Sequence, residues 1–120
     1  MDGFAGMLGV RATEAVGGRA RLEFDAGEEH LNPAGTVHGG VLATLLDTAM
    51  GLAVRNSRDD VPATSQLTVT FLRPGRTGRL VVTGKVGKQG EHVVVCDGDV
   101  EQDGRPVAAA VATFALVSAD

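Results

Sequence analysis

The sequence predicts an α+β domain in which one antiparallel sheet curls around one long helix. Three observations carry this. The run from Val41 to Val54 is nearly all apolar, rich in alanine and leucine, and free of proline, as a buried central helix requires. The segments on either side alternate apolar and polar residues at strand period, between glycine, proline and aspartate turn signals. The order is two strands, the helix, then four strands. The 120 residues hold no linker, repeat or low-complexity segment, so a single domain over residues 1–120 is expected.

The first residues, Met1 to Gly6, have no clear period and are expected to be mobile. Met7 to Thr13 is expected as a short first strand, closed by the Gly17-Gly18 turn. Arg19 to Ala26 alternates cleanly: Ala20, Leu22, Phe24 and Ala26 share one face, and Arg19, Arg21, Glu23 and Asp25 the other. A loop from Gly27 to Pro33 leads to Gly39-Gly40, which opens the helix over Gly40–Val54. At about 100° per residue, Thr44, Asp47, Thr48, Gly51 and Arg55 form one narrow polar stripe, and the remaining surface should be buried.

Thr64 to Leu72 reads as the next strand. Ser65, Leu67, Val69 and Phe71 are expected on one face, and Thr64, Gln66, Thr68 and Thr70 on the other. Arg73-Pro74-Gly75 ends it. Arg79 to Lys88 and His92 to Val100 follow, separated by the Gln89-Gly90 turn. The Asp103-Gly104 pair predicts a hairpin into Pro106–Val117. That last strand is apolar on both faces and is expected to be buried on both sides or paired across an interface. The four late strands are expected to form a meander.

Composition sets limits on function. A net charge of −4 and a pI near 5.3 argue against a general binder of nucleic acid or acidic membranes. The single cysteine, Cys96, admits no intramolecular disulfide and alternates with valines as a small core residue does. No leader peptide is visible, so a cytoplasmic location is expected. The helix is too short, with Asp47 inside it, to be a membrane span. His30, His38 and His92 lack ligand spacing, and no metal is expected. Gly35, Gly39 and Gly40 lack the lysine and the preceding strand of a phosphate loop.

The chemistry concentrates on the helix. Its first N–H groups have no partner within the helix and carry the positive end of the helix dipole, which favours an anion or a developing oxyanion. Asp47 is either a carboxylate on the wet face of a core helix or a base or nucleophile in a pocket. Gly39 and Asp47 are eight positions apart, about 12 Å along a helix. A single helix cannot bring both onto one carbonyl, so a site that uses both needs two copies of the chain.

Four positions together carry a resemblance: Asn32, then Gly39 within His38-Gly39-Gly40, then Asp47, then Ser65 at the start of the next strand. From about Leu8 to Val117 the chain resembles the hotdog-fold acyl-CoA thioesterases, in particular the phenylacetyl-CoA-thioesterase-like subfamily. The resemblance implies that the Gly39 N–H polarises the thioester carbonyl and that Asp47 of a partner subunit is general base or nucleophile. It implies that Asn32 and His38 line the site, and that Ser65 helps position the attacking water. It further implies no metal, no organic cofactor, a role in phenylacetate degradation, and a homotetramer built from two dimers.

Arg73, Arg76, Lys85 and Lys88 are either solvated turn and sheet charges or partners for coenzyme A phosphates. Arg73 and Lys88 are the preferred candidates, and Gly40 and Gly90 are further candidates for contact with coenzyme A. Two other readings stand. A hotdog hydratase usually pairs its acid with a histidine in the next turn, which Asp47 lacks. A non-catalytic acyl-CoA-binding protein would bind without hydrolysis.

Overall fold

The computed structural model describes residues 1–117. Its elements are α1 (Gly3–Leu8), β1 (Arg11–Val16), β2 (Arg19–Ala26), a 3-10 turn (Glu28–His30), α2 (Gly39–Arg55), β3 (Val61–Phe71), β4 (Gly78–Gln89), β5 (Val93–Gln102) and β6 (Arg105–Val117). The six strands form one antiparallel sheet in the order β1-β2-β4-β5-β6-β3, and α2 packs on one face of it. Both glycine-containing hairpins take the expected turn chemistry. Gly17 and Gly18 are both at positive φ, as are Asp103 and Gly104.

The contact between helix and sheet explains the small residues. Ala20, Gly84, Gly98 and Ala110 are successive partners across β2, β4, β5 and β6. The middle of α2 lies over this row. A methyl group at Gly84 would lie 2.5 Å from the carbonyl of Ala49, so backbone rests on backbone there. One at Gly98 would press on Leu46 and Met50 at 3.2 Å. Larger residues on either side of the row close the core: Leu22, Phe24, Leu80, Val82, Val94, Val100 and Phe114 pack with Leu42, Leu45, Leu46 and Met50. Cys96 is buried among them, and burial pushes its thiol pKa up to about 11.

Five expectations are corrected or narrowed. The N-terminal residues are not irregular: Gly3–Leu8 is a helical turn, ended by Gly9 at φ 82°. The first strand is consequently Arg11–Val16 rather than Met7–Thr13. It is exposed along its whole length and paired on one side only, so no hydrophobic alternation marked it. The late strands are not a simple meander, because β3 lies beyond β6 at the far edge. Periodicity reports which face a residue takes, not which strand it pairs with, and β4 is already held between β2 and β5. Within one chain the last strand is not buried on both faces throughout: Ala108, Ala110, Ala112 and Phe114 face the helix, and on the other face Val107 is buried but Val111 is 45% exposed, which leaves the alternative of pairing across an interface. Finally, α2 is buried on its sheet side, through Leu42, Leu45, Leu46, Ala49, Met50, Ala53 and Val54. The rest is half-covered except at Gly40 and Arg55, which are exposed. Among the described residues, no helix is long and apolar enough to cross a membrane.

Candidate active site

The start of α2 is held by a short network. The Asn32 side chain accepts from the Ala34 and Thr36 N–H groups at 3.0 and 3.1 Å and donates to the Thr36 hydroxyl at 3.0 Å, closing the turn before the helix. The Val37 N–H donates to the Gly75 carbonyl at 2.9 Å, which ties the turn after β3 to the turn before α2. His38 is the residue before the first helical turn. Its Nδ1 accepts from the Gly40 N–H at 2.8 Å, and its carbonyl accepts from Val41 at 2.9 Å. Two of the first amide donors are thereby used. The Gly39 N–H has no partner among the described residues. It is left free at the positive end of a 17-residue helix.

Gly39 lines a hollow of about 460 Å³ with Asn32, Leu42, Phe71 and Arg73. The Phe71 ring lies so close that a methyl group on Gly39 would meet it at 3.1 Å. A glycine at this position therefore keeps the free N–H within reach of the hollow. The arrangement offers one unpaired donor at the end of a partly apolar recess, which suits a carbonyl oxygen that gains charge during reaction.

Asp47 lies two turns further along α2 and lines a different hollow, also about 460 Å³, with Thr48, Gly51, Thr64 and Phe114. The Thr64 hydroxyl donates to Asp47 Oδ1 at 2.6 Å. Among the described residues, Oδ2 accepts no hydrogen bond from a side chain, so it can receive a proton or approach a carbonyl.

The faces of β3 differ from expectation. A bulge between Thr64 and Gln66 shifts the register, so Thr64 pairs with Phe114 while Leu67 pairs with Ala112. Thr64 therefore shares the helix side with Leu67 and Val69. The Ser65 hydroxyl instead donates to the Thr113 carbonyl at 3.1 Å. Sequence reasoning missed Thr64. A signal was present: Pro62 is in phase with even positions, whereas Leu67, Val69 and Phe71 are odd, and an apolar face can change phase only through an extra residue.

Within one chain, Asn32, Gly39 and Arg73 come together, and Asp47 does not join them. His38 is exposed and bonded to Gly40, so the Gly40 N–H is already occupied. Lys88 and Gly90 lie at the other end of the sheet, beyond the C-terminus of α2, where the Gly90 carbonyl accepts from Arg58 at 3.2 Å. Among the described residues, no group of three histidine, cysteine or carboxylate side chains is arranged to hold a metal.

A six-stranded antiparallel sheet packed on one long helix is the architecture of the hotdog class. Comparison with known proteins agrees. The family model described as Thioesterase superfamily matches residues 34–109, which include Gly39, Asp47, Thr64 and Arg73. The chain is 32% identical to human acyl-coenzyme A thioesterase 13 over 100 residues, covering 81% of this chain and 71% of the relative. It is similar in structure to the Escherichia coli PaaI protein of the phenylacetic acid degradation operon, with TM-score 0.92, 29% identity, and coverage of 98% of this chain and 86% of that one. It is also similar to a hypothetical thioesterase from Streptococcus pneumoniae solved with coenzyme A, with TM-score 0.86, 28% identity, and coverage of 91% and 89%. The chain belongs to the thioesterase superfamily, and it is a thioester hydrolase.

Proposed function

We propose that the protein hydrolyses acyl-CoA thioesters carrying an aryl-acetyl or medium-chain acyl group, in the cytoplasm, at sites shared between two copies of the chain. The observation that carries this reading is the unpaired Gly39 N–H, with Asp47 on the same helix but in a separate hollow. A thioester has weak carbonyl resonance and a good leaving thiolate, so an oxyanion donor and a placed carboxylate suffice.

In this mechanism the carbonyl oxygen accepts from Gly39 of one protomer. Asp47 of the other, steadied by Thr64 at Oδ1, takes a proton from water through Oδ2. The water oxygen attacks the carbonyl carbon. The negative charge that develops on the carbonyl oxygen is held by the Gly39 N–H at the helix N-terminus. The C–S bond then breaks, and the proton returns to the thiolate. Asp47 acting instead as nucleophile would pass through an anhydride that water opens. Support for dimerisation comes from β3, an 11-residue strand whose outer edge has no strand partner among the described residues. Pairing two such edges joins two sheets and sets the helices side by side, and two dimers then form the tetramer.

The test is release of free thiol from phenylacetyl-CoA, benzoyl-CoA and straight-chain acyl-CoAs. Asp47→Asn and Gly39→Pro should each abolish turnover. An exchanged equimolar mixture of the two inactive variants should regain about a quarter of the native sites, since about half of its dimers are mixed and one of the two sites in each mixed dimer is intact. Loss of activity in each variant without recovery on mixing would place both groups in one chain and defeat the shared-site reading.

A further inference from the structure

We propose that His30 is a positioning residue for the reaction: through its Nδ1 and its carbonyl it fixes the peptide that carries the Gly39 N–H, and so aims that donor at the substrate carbonyl. This rests on the thioesterase reading above and adds a residue that lines neither the Gly39 hollow nor the Asp47 hollow.

The turn before α2 is a short ladder folded back on itself. The Asn32 N–H donates to the Thr36 carbonyl at 2.8 Å, Leu31 bridges to Val37, and the His38 N–H donates to the His30 carbonyl at 2.8 Å. The last of these contacts stands one residue before Gly39. The Gly39 N–H belongs to the peptide bond whose carbonyl is that of His38, and this carbonyl accepts from Val41 at 2.9 Å and from Leu42 at 3.3 Å. His38 is therefore held on its carbonyl by the first turn of α2, on its ring by Gly40, and on its N–H by His30. Of these three holds, the one from His30 comes from outside the helix.

His30 is itself anchored to the sheet. Its Nδ1 accepts from the Gly27 N–H at 2.9 Å, and its own N–H donates to the Gly27 carbonyl at 3.0 Å, which clamps it to the residue that follows β2. Its ring meets the buried Phe24 ring of β2 edge-on, with centroids 4.7 Å apart, and the side chain is 15% exposed. An acceptor at Nδ1 leaves the ring proton on Nε2. Glu29 is the charged neighbour: its exposed carboxylate stands 3.2 Å from Nδ1. Removing the Nδ1 acceptor orphans the Gly27 N–H and releases the 3-10 turn, and with it the carbonyl that holds His38. An oxyanion donor acts from about 2.7–3.1 Å, so a small shift of the Gly39 peptide weakens it without blocking substrate from the hollow. The consequence falls on kcat rather than KM.

The test compares His30→Asn, whose Oδ1 keeps an acceptor near the place of Nδ1, with His30→Phe, which keeps a ring against Phe24 and has no acceptor. Glu29→Gln is the control for the ion pair. On one acyl-CoA, kcat should fall on the order of tenfold in His30→Phe at nearly constant KM, and should stay near the native value in His30→Asn and Glu29→Gln. Infrared difference spectra of isotope-labelled phenylacetyl-CoA bound to the Asp47→Asn protein should show the carbonyl band lowered by the Gly39 donor. Adding His30→Phe should shrink that lowering, and adding His30→Asn should not. A merely structural role would lower the unfolding temperature and leave kcat and the band of the folded protein unchanged, which would overturn the proposal. Equal losses in His30→Phe and His30→Asn, or in His30→Phe and Glu29→Gln, would overturn it too. If no thioester is hydrolysed or polarised, the thioesterase reading fails by itself, and amide hydrogen exchange still reads the clamp. Faster exchange of the His38 N–H in His30→Phe, but not in His30→Asn, supports the hold of His30 on the Gly39 peptide, and unchanged exchange rejects it.

Discussion

Thr64 and Ser65 stand side by side, and a single bulge sends one hydroxyl to Asp47 and the other to the Thr113 carbonyl. A hydrogen bond to a charged acceptor contributes about 1.5–3 kcal/mol, so losing the one that orients Asp47, the proposed base, should be felt in rate. Thr64→Val should lower kcat about tenfold and should cost more than Ser65→Ala. Steady-state kinetics on one acyl-CoA decides the order, and the reverse order would return the positioning role to Ser65. His38 works on the same scale. Its ring takes the Gly40 N–H and leaves Gly39 as the free donor. His38→Ala removes that cap, and thermal unfolding should show a loss of about 1 kcal/mol.

At the scale of elements, the approach of β4 to α2 sets the strictest demand on side-chain size. Gly84 meets the Ala49–Met50 peptide with no room for a β-carbon. Gly84→Ala should destabilise the fold by about 1–3 kcal/mol, since either the strand or the helix must move. A urea midpoint unchanged by this substitution would contradict the packing described. The β3 bulge acts at the same scale. It restores Leu67 and Val69 to the core after Pro62 and Thr64, and it carries Thr64 to the helix.

For the whole molecule, charge is arranged unevenly. Arg11, Arg21 and Arg79 interleave with Glu23 and Asp25 on the outer side of β1, β2 and β4. The hydrogen bond from Arg21 holds the Glu23 pKa below its ordinary value, and that from Arg79 does the same for Asp25. Carboxylates depressed on folding contribute stability that is complete above their unfolded pKa and lost as pH falls through the folded value. Asp99 acts in the opposite sense. Burial raises its pKa, helped by the nearby Glu101, so its ionised form costs stability at neutral pH and the cost fades on acidification. The net expectation is that urea midpoints fall below the ordinary carboxylate range, and that Glu23→Gln flattens this fall. A midpoint independent of pH in the native protein would show that the ladder contributes nothing.

Much of the fold was legible from local pattern alone. The limits of β2 were read to the residue, and α2 to within one residue at each end, because strand alternation, helix period and turn chemistry are properties of neighbouring residues. The same locality singled out Gly39 and Asp47 as candidates: one stands where helix donors are free, and the other is the only carboxylate within the helix. The spacing between them already required two chains for a shared site. Tertiary structure alone decided the rest. It placed β3 beyond β6, moved Thr64 to Asp47, and separated Lys88 and Gly90 from the Gly39 hollow. Each of these depends on which strand pairs with which, and in what register. Pairing is settled by the helix and all six strands packing at once, through contacts between residues far apart in the chain, which no local period records.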